Sequence, residues 1–275
     1  MSSFGERLSK AISVYGQLCV GIDPSANQLL SWSLPDSASG AKQFSLAVLE
    51  ASAGQVGIIK PQVAFFEQYG PTGLAALADV MIEAKQAGLV VIADAKRGDI
   101  GSSMDGYTRA WLSNEASFQV DALTLSPFLG IESLRPTIEI ALKNQKGVFV
   151  LAATSNPEAL QIQAASREGK TISSLVASFA SSLNEPALGS VGCVVGATVK
   201  LADLGLTQDS FSNTPILMPG FGAQGVELAE VGRLFGGLKT NLICSVSRSV
   251  ASDSRAGLDS RIAAAKSELE KGMNL

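Results

Sequence analysis

The stretch VVIADAKRGDIGSS, Val90 to Ser103, opens as an uninterrupted apolar run and then places Asp94, Lys96, Arg97 and Asp99 within a few positions of one another. A continuous apolar run without alternation reads as a strand buried on both faces. Just before it, GLAALADVMIEAKQAG (73–88) spaces its apolar residues at helical intervals. A helix followed by a doubly buried strand is one unit of a parallel α/β sheet. The charges therefore stand at the tip of a core strand, where they need a chemical reason.

Working outward, seven further runs have the same character: LCVGID (18–23), VGIIKP (56–61), DALTLS (121–126), GVFVLA (147–152), GCVVGA (192–197), PILMPG (215–220) and LICSVS (242–247). Helical periodicity fills most of the gaps, as in ISSLVASFASSLN (172–184). Eight such units within 275 residues predict an α/β fold of the TIM (β/α)8 barrel type, with residues 1–275 as a single domain. A doubly wound sheet is the alternative, weakened because no GxGxxG follows the first run. Phe4, Leu8 and Ile12 predict a helix closing the barrel bottom, and Leu258, Ile262 and Leu269 predict a last outer helix. Two stretches read as loops: SWSLPDSASG (31–40), and SNPEALQIQAASREGKT (155–171), a candidate lid after the fifth strand.

Composition narrows the function. With 46% hydrophobic and 17% charged residues the chain can bury a large core. A net charge of −4 gives no electrostatic footprint for nucleic acid or an anionic membrane, so an anionic ligand has to be met by locally placed cations. Cys19, Cys193 and Cys244 each lie in an apolar segment and read as buried free thiols. No apolar run is long enough to span a bilayer, and the start MSSFGERLSKAISVYG has no signal-peptide core, which predicts a cytoplasmic setting. The sequence contains no histidine, which removes histidine triads, bases and metal ligands together.

In a TIM barrel the C-terminal strand tips carry the chemistry. Asp23 ends the first run, Lys60 the second, and Asp94 and Lys96 the third, with Asp99 just beyond. Residues two apart on a strand share a face, so Asp94 and Lys96 are expected to point the same way. Alternating charges in a dry pocket keep one another ionised: two unit charges 4 Å apart interact by about 4 kcal/mol at an effective dielectric near 20. Such an array offers a fixed field and a proton donor for a carbanion developing beside Lys96, while Asp94 would repel a substrate carboxylate. On these residues alone, an ion-pair network serving only the fold stays open. Across the barrel, MPGFGAQG (218–225) supplies Gly220, Gly222 and Gly225 around Ala223 and Gln224 after the seventh run, and Ser247 and Arg248 end the eighth. Glycine backbone that approaches a ligand closely, together with an arginine at these two tips, suits a phosphate dianion.

DAKRGDIG resembles the Asp-x-Lys-x-x-Asp signature of the orotidine 5′-phosphate decarboxylase family, in its longer bacterial-type branch. IIKPQVAFFEQYG (58–70), FVLAATSNP (149–157), VGCVVGAT (191–198), MPGFGAQG and VSRS (246–249) are similar to the family's successive blocks, in order, over most of the chain. The resemblance implies decarboxylation of orotidine 5′-phosphate to uridine 5′-monophosphate, the last step of de novo pyrimidine synthesis, without cofactor or metal. It implies that Lys60, Asp94, Lys96 and Asp99 form the charged tetrad, with Lys96 as proton donor to C6 and Asp94 beside the departing carboxylate. It further implies that Asp23 binds ribose, Ser155 reads the pyrimidine edge, and Gln224 and Arg248 hold phosphate. A homodimer with shared sites is implied too, Asp99 and Ile100 completing the partner's site. Two positions depart from the common pattern: Ser103 stands where threonine is frequent, and Ser247 where many members have glycine.

Two other functions fit part of the pattern. A metal-dependent keto-gulonate-phosphate decarboxylase shares Asp-x-Lys-x-x-Asp, and chelator sensitivity would mark it. A phosphate-ligand-binding barrel that has lost catalysis would leave the substrate unchanged.

Overall fold

The computed structural model describes residues 2–185, 187–222, 225–252 and 254–274. Eight strands close into a parallel barrel: β1 Leu18–Ile22, β2 Ile58–Pro61, β3 Val90–Arg97, β4 Ala122–Leu125, β5 Gly147–Ala153, β8 Val191–Val195, β9 Ile216–Pro219 and β10 Leu242–Val246. The remaining two, β6 Ser166–Arg167 and β7 Lys170–Thr171, form a small antiparallel hairpin outside the barrel. Each barrel strand pairs with its neighbours in chain order, and β10 returns to β1. All eight apolar runs become barrel strands, because burial on both faces selects that composition.

Two apolar layers hold the barrel. Outward-facing residues such as Val20, Ile59, Val91, Leu123 and Val150 pack under the outer helices. Inward-facing Cys19, Ile58, Val90, Ile92, Ala122, Phe149, Val194, Leu217 and Ile243 fill the barrel with Phe4 and Leu8 of the helix Phe4–Tyr15. That helix starts from a capping box between Ser3 and Glu6 and plugs the N-terminal end of the strands. Phe4 meets Phe149 edge to face at 5.9 Å, and a Cβ on Gly147 would lie 2.2 Å from the Phe4 ring, so glycine is what lets the plug seat. The predicted tail helix is Leu258–Met273, burying Leu258, Ile262 and Leu269. All three cysteines are free and buried, and burial pushes the Cys19 and Cys193 thiols up to about 12.

Two loop expectations need correction. Within 31–40, helix Ala26–Ser31 covers the first residue and helix Ala38–Ser52, capped by Ser37, begins before the end. The 155–171 segment is also more ordered than a plain loop. It carries a 3-10 turn Pro157–Ala159, a helical turn Leu160–Gln163 and the β6–β7 hairpin. Gln163 ties it back to the end of β5, accepting from the Thr154 N–H and donating to its hydroxyl, both at 2.9 Å.

Candidate active site

Period-two geometry carries the inward face of each strand from the apolar layer to the C-terminal mouth. Two residues beyond Ile58, Ile92, Ala122 and Ile243 stand Lys60, Asp94, Thr124 and Ser245. Above the apolar layer lies a cavity of about 320 Å³ whose walls include Asp23, Lys60, Asp94, Lys96, Ser155 and Arg248. These six are drawn from the tips of five strands; five were read from the strand ends and Ser155 from the family resemblance.

The charged cluster forms around Asp94. Lys60 Nζ lies 3.2 Å from Asp94 Oδ2, and Lys96 Nζ lies 2.5 Å from Asp94 Oδ1. Lys60 is 5% exposed, so its charge depends on its partners. Burial alone would lower the Lys60 ammonium, but the Asp94 and Asp23 carboxylates outweigh it and hold its pKa above the ordinary lysine value. For Asp94, burial would raise the carboxyl, and Lys60 and Lys96 overcome that to hold it below the ordinary carboxylate range. Lys60 and Asp94 therefore each favour the other's charged form, with a lysine amine on each oxygen of the one carboxylate.

Asp94 and Lys96 do meet, but not by simple strand alternation. Lys96 has φ +51°, a left-handed conformation uncommon for a residue with a side chain. The β3–β4 register runs from Ala93 opposite Leu123 to Arg97 opposite Leu125, so β3 bulges between them. The bulge re-aims Lys96 over the cavity. Arg97 turns away, pairing with Glu67 and lying over the rings of Tyr107 and Trp111, which separates the structural charge of the stretch from the chemical ones.

Asp23 sits beside the cluster. Its Oδ2 accepts a 2.6 Å hydrogen bond from Ser247 Oγ, while its Oδ1 is buried without a partner among the described residues. A buried carboxylate oxygen left in that state suits a ligand hydroxyl. Ser247, the departure noted in the sequence, thus orients Asp23.

The opposite rim is backbone. Gly220, Gly222 and Gly225 all have positive φ, and the turn is closed by Gly222 N–H donating to Val226 O at 2.8 Å. Gly220 and Phe221 line the cavity beside Arg248, which opens the short helix Arg248–Ala251. Ala223 and Gln224 lie outside the described residues.

Asp99, Ile100 and Ser103 do not reach this cavity. Asp99 Oδ1 accepts from the Ile100 N–H at 2.8 Å, Ile100 is 60% exposed, and Ser103 is exposed on helix Gly101–Trp111. Three of the four tetrad residues thus meet within one chain. Sequence reasoning missed Thr124, Gln62, Thr154 and Asn156. Thr124 was accessible from its inward register with Ala122; the others line the mouth from turns whose path sequence periodicity does not describe.

Fold and site together place the chain among (β/α)8 barrels that gather their polar groups at the C-terminal strand tips. More specifically, it belongs to the orotidine 5′-phosphate decarboxylase / HUMPS family, whose sequence model matches residues 16–256. It is 46% identical over 253 residues to the orotidine 5′-phosphate decarboxylase of Streptomyces coelicolor, covering 91% of this chain and 90% of that one. With the Corynebacterium glutamicum (strain R) protein of the same name it shares 43% identity over 258 residues, 90% of each chain. The crystal structure of a Streptomyces avermitilis protein provisionally assigned the same activity matches with a TM-score of 0.94 at 41% identity, over 100% of this chain and 97% of that one. Leishmania donovani OMP decarboxylase matches with a TM-score of 0.74 at 31% identity, over 96% and 98%.

Proposed function

We propose that this chain, working over residues 1–275 as one domain, decarboxylates orotidine 5′-phosphate to uridine 5′-monophosphate in pyrimidine nucleotide synthesis. The observation that carries the reading is the Lys60–Asp94–Lys96 array inside the strand-tip cavity. In this reading the substrate carboxylate lies against Asp94, the C6–carboxylate bond breaks, and carbon dioxide leaves. The electron pair stays on C6, and the Lys96 ammonium delivers the proton that replaces the carboxylate. Because both lysines are already held by Asp94, little reorganisation accompanies the developing negative charge. Asp23 takes a ribose hydroxyl, Ser155 the pyrimidine edge, and Arg248 with Gln224 and the Gly220–Gly225 turn the phosphate. No metal or cofactor enters the scheme.

Asp99 and Ile100 are assigned to the site of a second copy in a homodimer. Their position outside their own cavity supports this, as does the exposure of Ile100 and of the large apolar residues Phe128 and Leu129. The setting is cytoplasmic in this reading; among the described residues no helix is long and apolar enough to cross a membrane. The deciding experiment follows the ultraviolet absorbance of orotidine 5′-phosphate with purified protein, with and without a chelator. Conversion to uridine 5′-monophosphate at equal rates in both is expected. An unchanged spectrum removes the reading, and loss of turnover with the chelator moves the chain to the metal-dependent branch.

A further inference from the structure

One hydroxyl answers the bulge in β3. Between the register pairs Ala93–Leu123 and Arg97–Leu125, the residues Asp94, Ala95 and Lys96 all stand opposite the single residue Thr124 of β4. Backbone groups in a bulge lose their regular ladder partners and must find others. Here the N–H groups of Ala95 and Lys96 both donate to Thr124 Oγ1, at 3.0 and 2.8 Å. The hydroxyl in turn donates to Asp94 Oδ1 at 3.1 Å. Thr124 is fully buried, and these three contacts use its two acceptor positions and its one proton. The same atom therefore touches the left-handed Lys96 backbone and the carboxylate that grips the Lys96 ammonium.

We propose that Thr124 is a positioning residue for the reaction, its hydroxyl fixing the Lys96 backbone and the Asp94 carboxylate in one relative arrangement. The proposal rests on the decarboxylation reading above. One of the two charged residues of this tip, Lys96, is itself held in a left-handed conformation, so its placement depends on the contacts its backbone makes. Placement errors well below the length of a hydrogen bond are enough to cost rate in such arrays. Thr124→Val would keep the β-branched shape but leave the Ala95 and Lys96 N–H groups without this acceptor and Asp94 Oδ1 with one donor fewer.

The test compares Thr124→Val, Thr124→Ser and Thr124→Ala with the native protein. Thr124→Val is expected to lower kcat about a hundredfold, with KM and affinity for uridine 5′-monophosphate changed by less than about threefold. Thr124→Ser, which keeps the hydroxyl, is expected to stay within about threefold of native kcat. Should the valine protein not fold, serine and alanine form the decisive pair, since both lack the methyl group and differ only in the hydroxyl. A purely structural role would lower the melting temperature of the alanine protein while leaving the kcat of its folded fraction equal to that of the serine protein, and that result overturns the proposal. If the native protein itself does not convert orotidine 5′-phosphate, the decarboxylation reading fails and takes the proposal with it. An active native protein with equal serine and alanine rates removes Thr124 alone.

Discussion

The two halves of the cavity mouth are built in opposite ways. On the β2–β3 side, Lys60, Asp94 and Lys96 are strand-tip side chains that hold one another through direct contacts. On the β9–β10 side, a turn with three positive-φ glycines presents backbone, and one exposed arginine supplies the charge. The first side fixes its charges against one another, whereas the second offers backbone groups and a single cation to a ligand. Preorganised charges act on the transition state, whereas a gripping loop supplies binding energy remote from the reacting atoms. The contrast predicts that substitutions on the first side act on turnover and those on the second mainly on affinity.

The comparison breaks most sharply at Lys96. Lys96→Ala is expected to lower kcat by at least about 10⁴-fold, combining the loss of the acid with the loss of its charge, while uridine 5′-monophosphate still binds. Asp94→Asn should lower kcat nearly as far, and its substrate affinity can rise if a carboxylate clash is relieved. Single-turnover and equilibrium binding measurements separate the two effects, and near-native turnover in either variant would contradict the assigned roles.

Arg248→Ala probes the other half. About a hundredfold loss in kcat/KM is expected for the nucleotide, with a much smaller change for the corresponding nucleoside. Equal losses for both would move Arg248 away from the phosphate.

Asp99 sharpens the comparison by testing whether the charged side is complete in one chain. Lys96→Ala and Asp99→Ala homodimers should each be inactive. After subunit exchange, confirmed by native mass spectrometry, about a quarter of native activity should return, because half the dimers are mixed and one of their two sites is intact. Confirmed heterodimers without activity would return Asp99 to its own chain's site.

Smaller effects follow from Ser247 and from pH. Ser247→Gly removes the 2.6 Å hydrogen bond to Asp23 and should weaken nucleotide binding by about threefold to tenfold, less for a 2′-deoxy analogue. Equal loss for both sugars would show that Asp23 does not serve the 2′-hydroxyl. Asp94 is lowered in the folded protein, so its stabilising contribution is complete above about pH 4 and is lost as pH falls through the lower folded value. Lys60 is raised, so its contribution is complete below about pH 10 and is lost only above that. In urea unfolding, the stability gap between native and Asp94→Asn should therefore stay constant from about pH 5 to 9 and narrow below about pH 4. A gap that changes within the neutral window would show that the pair is not charged throughout it.

The amino-acid sequence by itself determined the barrel and which strand ends carry its chemistry. Strands buried on both faces must be written as continuous apolar runs, and charges at the ends of several such runs mark the face where a site can form. Asp23, Lys60, Asp94, Lys96 and Arg248 were accessible for that reason and Ser155 through the family resemblance, and each lines the cavity. Periodicity is a local property, however, and three matters were decided between segments. The β3 bulge exists because β4 advances less than β3 beside it, and its support is a hydroxyl on the neighbouring strand. Asp99 leaves the cavity because the chain turns after Arg97 is captured by Glu67 and two aromatic rings from other elements. Ser247 reaches Asp23 only because barrel closure sets β10 against β1. A run of residues can encode what is buried and what is charged, but the pairing of one strand with the next sets the angles and distances at which those charges act.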